Sequence, residues 1–229
     1  MWVLVPLAGA VVALLAWPRR ADPELEAWRE REERLTRDLE KSPSSVDLLL
    51  ERSDLRLART DFGRNRGRNP LPDYAAAEED LTRALALRPD SQDLHYRRGK
   101  VRTQRAVYKA KNGVDPLGDC DAAETDLLKA EGLPIARTWL GNVRYHRGAW
   151  RQKAGGDGTA DLEAARRDLT PADDPDRLMR RGRVLAALKR YDEAEKDFEE
   201  SARQGSSSVW GWTWRGNARM AAGDATSGP

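Results

Sequence analysis

The sequence predicts an all-α chain, a solenoid of helix-turn-helix repeats preceded by one hydrophobic N-terminal helix. Three observations predict it. In KRYDEAEKDFEESARQ, Tyr191, Ala194 and Phe198 step by three and then four residues, the spacing of one helix face. DYAAAEEDLTRALALRP repeats that skeleton with Tyr74, Ala77 and Leu81, and Ala84 and Leu85 continue the row. A small residue also recurs in a fixed setting: ERSDLR at Ser53, RRGKVR at Gly99, WLGNVR at Gly141, RRGRVL at Gly182 and WRGNAR at Gly216. Self-similarity at such intervals marks stacked supersecondary units.

Composition agrees. Charged residues make up 34% of the 229-residue chain. Their signs interleave, as expected of solvated helix faces with i,i+4 pairing. A formal net charge of +2 gives no case for a polyanionic partner. One cysteine, Cys120, excludes an internal disulfide.

Residues 1–20 form the first element. Trp2 to Trp17 is a run without charge, bracketed by tryptophans and closed by Pro18, Arg19 and Arg20, which predicts a single-pass membrane anchor. A signal segment is the alternative, although the run lacks a preceding basic region and a small-residue cleavage site. The two arginines place the remaining chain in the cytoplasm under the positive-inside tendency, with a periplasmic or secreted domain as the rival.

Residues 22–44 follow as a degenerate leading helix, Pro23 to Lys41. Its Trp28, Leu35, Leu39 and Pro43 match Tyr74, Leu81, Leu85 and Pro89 by a constant shift of 46. Residues 45–222 form the solenoid proper, and 223–229 a disordered tail. In each unit the first helix holds the small residue, which lets its paired helix approach closely. The second begins near a Tyr or its substitute and ends at a break such as Pro89, after which Asp90 or Ser91 caps the next helix. Ala77, Ala123 and Ala194 are expected at contacts with the following unit. The intervals between successive small residues are 46, 42, 41 and 34.

The early units are longer than the last complete one. Their excess is read as loops between paired helices, in TDFGRNRGRNPLPD, KAKNGVDPLGD and RQKAGGDGT, tolerated because loop elongation costs little. The helix Ala160 to Pro171 lacks the leading aromatic and fits the register poorly. WGWTWRGNARM supplies a first helix without a second, its Trp210, Trp212 and Trp214 forming a cap, a surface for self-association or a face for a partner.

The unit Pro175 to Ser208, with Leu178, Gly182, Leu185, Tyr191, Ala194 and Phe198 at the family's spacing, resembles the tetratricopeptide repeat (TPR) family. The likeness extends over roughly Glu24 to Ala222. It implies a right-handed α-solenoid whose first helices line a concave, peptide-holding groove. On that face stand Tyr96, Lys100 and Thr103, then Asn142 and Tyr145, then Met179 and Arg183, then Trp210 and Asn217. Their mixture of aromatic, amide and basic groups suits an extended peptide with acidic character. The family's grip on a terminal carboxylate is not expected, because Leu50 and Asp54 stand where lysine and asparagine would be needed.

Catalytic chemistry finds little support. His95 and His146 lie in different units without a second ligand at helical spacing. Cys120 begins a second helix where Tyr74 and Tyr191 begin theirs, so packing accounts for it. GGDG, Gly155 to Gly158, lacks the lysine and strand of a phosphate loop, and GRNRGRNP, Gly63 to Pro70, lacks the interleaved aromatics of a single-strand binder. No cofactor, metal or nucleic acid is expected. The sequence therefore reads as a non-enzymatic, membrane-tethered scaffold for a protein or peptide partner. The alternative is the sensory or scaffolding part of a larger signalling enzyme, such as a bacterial membrane serine/threonine kinase.

Overall fold

The computed structural model describes residues 23–64, 66–205 and 216. Among them all regular structure is helical: α1 (Pro23–Lys41), α2 (Val46–Arg64), α3 (Leu71–Leu87), α4 (Gln92–Lys111), α5 (Leu117–Lys129), α6 (Pro134–Lys153), α7 (Thr159–Asp168), α8 (Pro175–Ala187) and α9 (Tyr191–Arg203). The expected membrane segment, the tail, and Trp210 and Asn217 lie outside the described residues. Among the described residues, no helix is long and apolar enough to cross a membrane.

Antiparallel hairpins pair α2 with α3, α4 with α5, α6 with α7 and α8 with α9, and α1 packs on α2 as α3 packs on α4. Each hairpin meets the next through α3–α4, α5–α6 and α7–α8. The first helices also touch one another, α4 with α6 and α6 with α8. The result is an α-solenoid of stacked helical hairpins. Ser45, Ser91 and Asp174 open α2, α4 and α8 by accepting from the backbone N–H of Leu48, Leu94 and Arg177, which satisfies donors that the first turn leaves free.

The small residues sit at the seam inside each hairpin. A Cβ on Gly99 would lie 2.8 Å from Leu127 Cγ, on Gly141 2.6 Å from Leu169 Cγ, and on Gly182 2.6 Å from Phe198 Cε1. Ser53, in the same register, is buried and donates its hydroxyl to Ala77 O at 3.3 Å. Close backbone approach offsets the helix-propensity cost of glycine, because it lets a large apolar side chain fill the seam from the partner helix. The carbonyls of Ala77, Ala123 and Ala165 face the same seam, so the alanine row also serves its own hairpin rather than only the following unit. Gly216 differs. It is exposed, and a Cβ there meets nothing within 4 Å.

Two expectations are corrected. Helix α7 docks in register despite its missing aromatic: Leu162, Ala165 and Leu169 are fully buried where α3 has Tyr74, Ala77 and Leu81. The extra length of the early units is mostly helix rather than loop. α2, α4 and α6 run 19, 20 and 20 residues against 13 for α8, about two extra turns at 3.6 residues each. The connecting turns are short and alike. Gly67, Gly113 and Gly155 each take a positive φ, of 69°, 73° and 82°, which a side chain would strain. Two residues later, the side chains of Asn69, Asp115 and Asp157 accept from the N–H of Leu71, Leu117 and Thr159. GGDG belongs to the third of these turns, where a Cβ on Gly158 would fall 2.0 Å from Gly148 O. Its glycines serve backbone contact.

The charges are also placed differently from the solvated faces the sequence suggested. Arg52, Arg98 and Arg181 each grip both carboxylate oxygens of Asp80, Asp126 and Asp197 on the paired helix, at 2.5 to 3.0 Å. Arg56 and Arg102, a turn after Arg52 and Arg98, and Arg144 in the same register reach back to Glu32, Glu78 and Glu124 on the preceding helix, each at 2.7 Å. Arg59, Arg105 and Arg147 take the second oxygen of those glutamates and also bind Asp73, Asp119 and Asp161. Each glutamate thus ties two arginines across the boundary between hairpins. Arginine suits this place because its planar fork pairs with carboxylates in fixed geometry.

Candidate functional site

The groove face is built where first helices lie side by side. Lys100 on α4 places its Nζ 5.7 Å from the Trp139 ring centroid on α6, and the Arg183 guanidinium on α8 lies 4.7 Å from that of Tyr145 on α6. Arg177 on α8 donates to Thr138 on α6 at 3.0 Å, and Arg97 on α4 lies 3.3 Å from the Asp54 carboxylate on α2. Cations held against aromatic faces are attracted by the ring quadrupole and keep a defined position.

The expected groove residues divide into three groups. Tyr96, Lys100, Tyr145, Met179 and Arg183 are half-buried. Tyr96 packs against the cluster containing Leu127 and Leu140, Tyr145 against that of Leu162, and Met179 against that of Phe198. Asn142 is buried, at 8% exposure. Thr103 is fully buried and donates to Gly99 O at 2.8 Å, so the expectation that it lines the groove is corrected. A hydroxyl beside the glycine seam satisfies a carbonyl of its own helix instead. Trp210 and Asn217 lie outside the described residues.

Trp139, Arg177 and Arg97 were not singled out from the sequence, yet they make contacts between neighbouring first helices. The signal available was register alone: Arg97 follows Tyr96 directly, Trp139 precedes Asn142 by three residues and Arg177 precedes Met179 by two. Toward the N-terminal end, a cleft of about 520 Å³ opens where α1, α2 and α4 meet, lined by Trp28, Arg31, Leu50, Asp54, Ala58 and Arg97. It continues the face past the hairpin of α4.

Basic side chains surround His146 on α6. His146 lies beside Tyr145, with ring centroids 5.0 Å apart. Burial pushes its imidazole down to about 3, and the charges of Arg183, Lys111 and Arg180 add to the effect. His95 is instead buried inside a hairpin, with Nδ1 3.1 Å from Asp126 Oδ1 and Nε2 2.9 Å from Pro89 O. Cys120 occupies the Tyr74 position, fully buried, and burial pushes its thiol up to about 12. Among the described residues no three His, Cys, Asp or Glu side chains group as metal ligands. The face presents the half-buried side chains of Tyr96, Lys100, Tyr145, Met179 and Arg183.

No protein-family model matches the chain, and no curated protein matches it. Solved structures do. A thermophilic TPR protein of Thermus thermophilus is 16% identical with a TM-score of 0.49, over 86% of this chain and 93% of its own. A tetratricopeptide repeat protein from Parabacteroides merdae is 16% identical with a TM-score of 0.40, over 86% of this chain and 79% of its own.

Proposed function

We propose that this chain is a non-catalytic scaffold, tethered to a membrane through Trp2 to Trp17, whose concave face holds an extended protein segment of acidic character. The observation that carries the reading is the pair of cation–aromatic contacts, Lys100 on Trp139 and Arg183 on Tyr145. They hold one positive charge on α4 and one on α8 against rings of α6, so little side-chain ordering remains for a partner to impose. An acidic segment running across α4, α6 and α8 would meet both charges, with the half-buried rings of Tyr96 and Tyr145 offering apolar contact between them. In this reading Arg19 and Arg20 hold the repeats on the cytoplasmic side.

Affinity purification from solubilised membranes tests it, comparing the wild type with a Lys100→Glu plus Arg183→Glu variant. The reading expects a defined set of proteins to be lost from the variant while its thermal midpoint stays unchanged. Equal recovery with both forms would overturn the groove.

A further inference from the structure

The first hairpin lacks a cation that the next two possess. Gly63, Lys109 and Arg151 stand ten residues beyond Ser53, Gly99 and Gly141, the small residues of α2, α4 and α6. On the paired helices Asp73, Asp119 and Asp161 share a register, and Arg59, Arg105 and Arg147 each grip the Oδ1 atom through Nε and Nη2, at 2.5 to 3.0 Å. The second oxygen distinguishes the hairpins. Lys109 Nζ lies 2.8 Å from Asp119 Oδ2, and Arg151 Nη1 lies 2.6 Å from Asp161 Oδ2. Gly63 offers no side chain, so among the described residues Arg59 is the only cation on Asp73, whose Oδ2 accepts no hydrogen bond. The carboxylate is correspondingly more open. Its side chain is 21% exposed, against 8% for Asp119 and 7% for Asp161.

Asp73 lines a cavity of about 210 Å³ between α1, the end of α2 and the start of α3. The other charged groups on its wall are Arg29, Arg59 and Arg68. Two of these are engaged: Arg29 donates to Glu26 at 2.8 Å, and Arg59 bridges Asp73 and Glu32. Arg68 is not. Its stem lies across Gly63, on which a Cβ would stand 3.4 Å from Arg68 Cβ, and its exposed guanidinium has no partner among the described residues. Asn69 accepts from the Leu71 N–H through Oδ1 at 3.1 Å, which fixes its amide and leaves the amide N–H groups to donate. Leu25, Pro70 and Pro72 supply the apolar part of the wall.

The wall therefore presents one carboxylate oxygen without a donor, one guanidinium without an acceptor, and an apolar side. A half-buried carboxylate oxygen left without a donor is penalised, and the two later hairpins show that a cation at this place satisfies it. A guanidinium beside an amide is suited to a carboxylate, which it can grip through two parallel N–H groups. The volume lies below the range of drug-sized sites and equals that of about seven liquid waters at about 30 Å³ each. Such a space suits a small zwitterion with a short hydrocarbon chain.

We propose that this cavity binds a free α-amino acid with an aliphatic side chain. Its ammonium takes against Asp73 the place that Lys109 Nζ holds against Asp119, its carboxylate accepts from Arg68 and Asn69, and its side chain packs on Leu25, Pro70 and Pro72. The site is independent of both the groove and the membrane tether.

Isothermal titration calorimetry on the purified full chain tests it, with L-valine, L-leucine and L-isoleucine as probes up to millimolar concentration. At least one is expected to bind saturably. For that one, the N-acetyl derivative and the decarboxylated amine should each bind at least about tenfold more weakly, since each loses a charged contact. Arg68→Gln, at an exposed position, should weaken binding by a similar factor. Gly63→Lys is the sharper variant: the introduced side chain is expected to reach Asp73 as Lys109 reaches Asp119, abolishing binding while the thermal midpoint holds or rises. Absence of saturable heat with all three probes would overturn the proposal, and so would binding that survives Gly63→Lys. Equal affinity for the decarboxylated amine or for the N-acetyl derivative would overturn the zwitterion.

Discussion

Arg98 holds both carboxylate oxygens of Asp126 at 2.8 Å, and Arg102 reaches the same carboxylate at 2.8 Å from the next turn. In the third hairpin Leu140 occupies the register of Arg98, and Asp168 keeps Arg144 alone, at 2.7 Å. The two carboxyls respond in opposite directions. Burial would raise Asp126, but its Arg98 and His95 hydrogen bonds and the Arg102 charge hold it below the usual range. At Asp168 burial outweighs the single arginine and pushes the carboxyl up. Asp126→Asn is therefore expected to cost about 3 kcal/mol, since it removes the buried carboxylate charge that Arg98 and Arg102 share. Asp168→Asn should cost under about 1 kcal/mol, because there the charge itself is penalised. Thermal or urea unfolding of the two variants checks the difference.

Acid should unfold the chain through the same network. The carboxyls of Glu32, Asp119 and Asp126 are held low: burial opposes this, and their arginine, lysine and histidine partners overcome it. A lowered folded-state value means that the unfolded chain takes up protons first. The stabilisation is present above the unfolded values of roughly 4 and is lost as pH falls through the lower folded ones. Asp168 acts in the opposite sense, its raised value favouring the fold on acidification. Urea midpoints should hold steady from neutral pH toward the unfolded carboxylate values and fall below them. A midpoint that rises on acidification would contradict the network's dominance.

The glycine seams predict steric cost. Gly99→Val and Gly182→Val each place atoms where Leu127 and Phe198 already stand, and each should lose about 1–3 kcal/mol by overpacking. Gly118→Ala is the control. A Cβ there meets nothing within 4 Å, and the helix-propensity gain should leave stability unchanged or raise it by up to about 1 kcal/mol. Circular dichroism melts of the three variants give the comparison.

Cys120 should be inert in the folded chain. Its full burial and a thiol pushed up to about 12 leave little thiolate at neutral or mildly basic pH. Reaction with a thiol reagent should wait for unfolding and track the urea transition. Fast labelling without denaturant would show that the second hairpin opens locally.

The shared turn of the early hairpins offers a backbone test. Gly113 carries a φ of 73° with open space around a Cβ, so Gly113→Ala is opposed by conformation alone. A loss of about 1 kcal/mol is expected, and Gly113→Asn should recover part of it because asparagine tolerates the left-handed region. Unfolding midpoints separate the two.

Much of the fold can be read from periodicity. The bounds Pro23–Lys41, the hairpin register of Tyr74, Ala77 and Leu81, and the small residues at 53, 99, 141 and 182 each depend on neighbours three or four positions away, which a linear pattern records directly. The stripe through Tyr96 and Lys100 follows from helix geometry in the same way. Thr103 was misplaced because a stripe does not say how deep its edge sits. Trp139 was missed because its role lies in facing another first helix.

The charges were legible as composition but not as structure. Arg98 and Asp126 lie 28 residues apart, and nothing in either helix alone distinguishes a solvated arginine from one that spans a seam. The lengthened first helices were misread in a related way. Residues such as Gly63 and Lys109 to Lys111 weaken or leave open a helical reading, yet packing against the paired helix carries α2 and α4 onward. Local spacing determines which faces of these helices are apolar, because side-chain direction repeats with the backbone. Which charge meets which, and where each helix stops, is decided only when the hairpins stack, because those energies belong to contacts between distant parts of the chain.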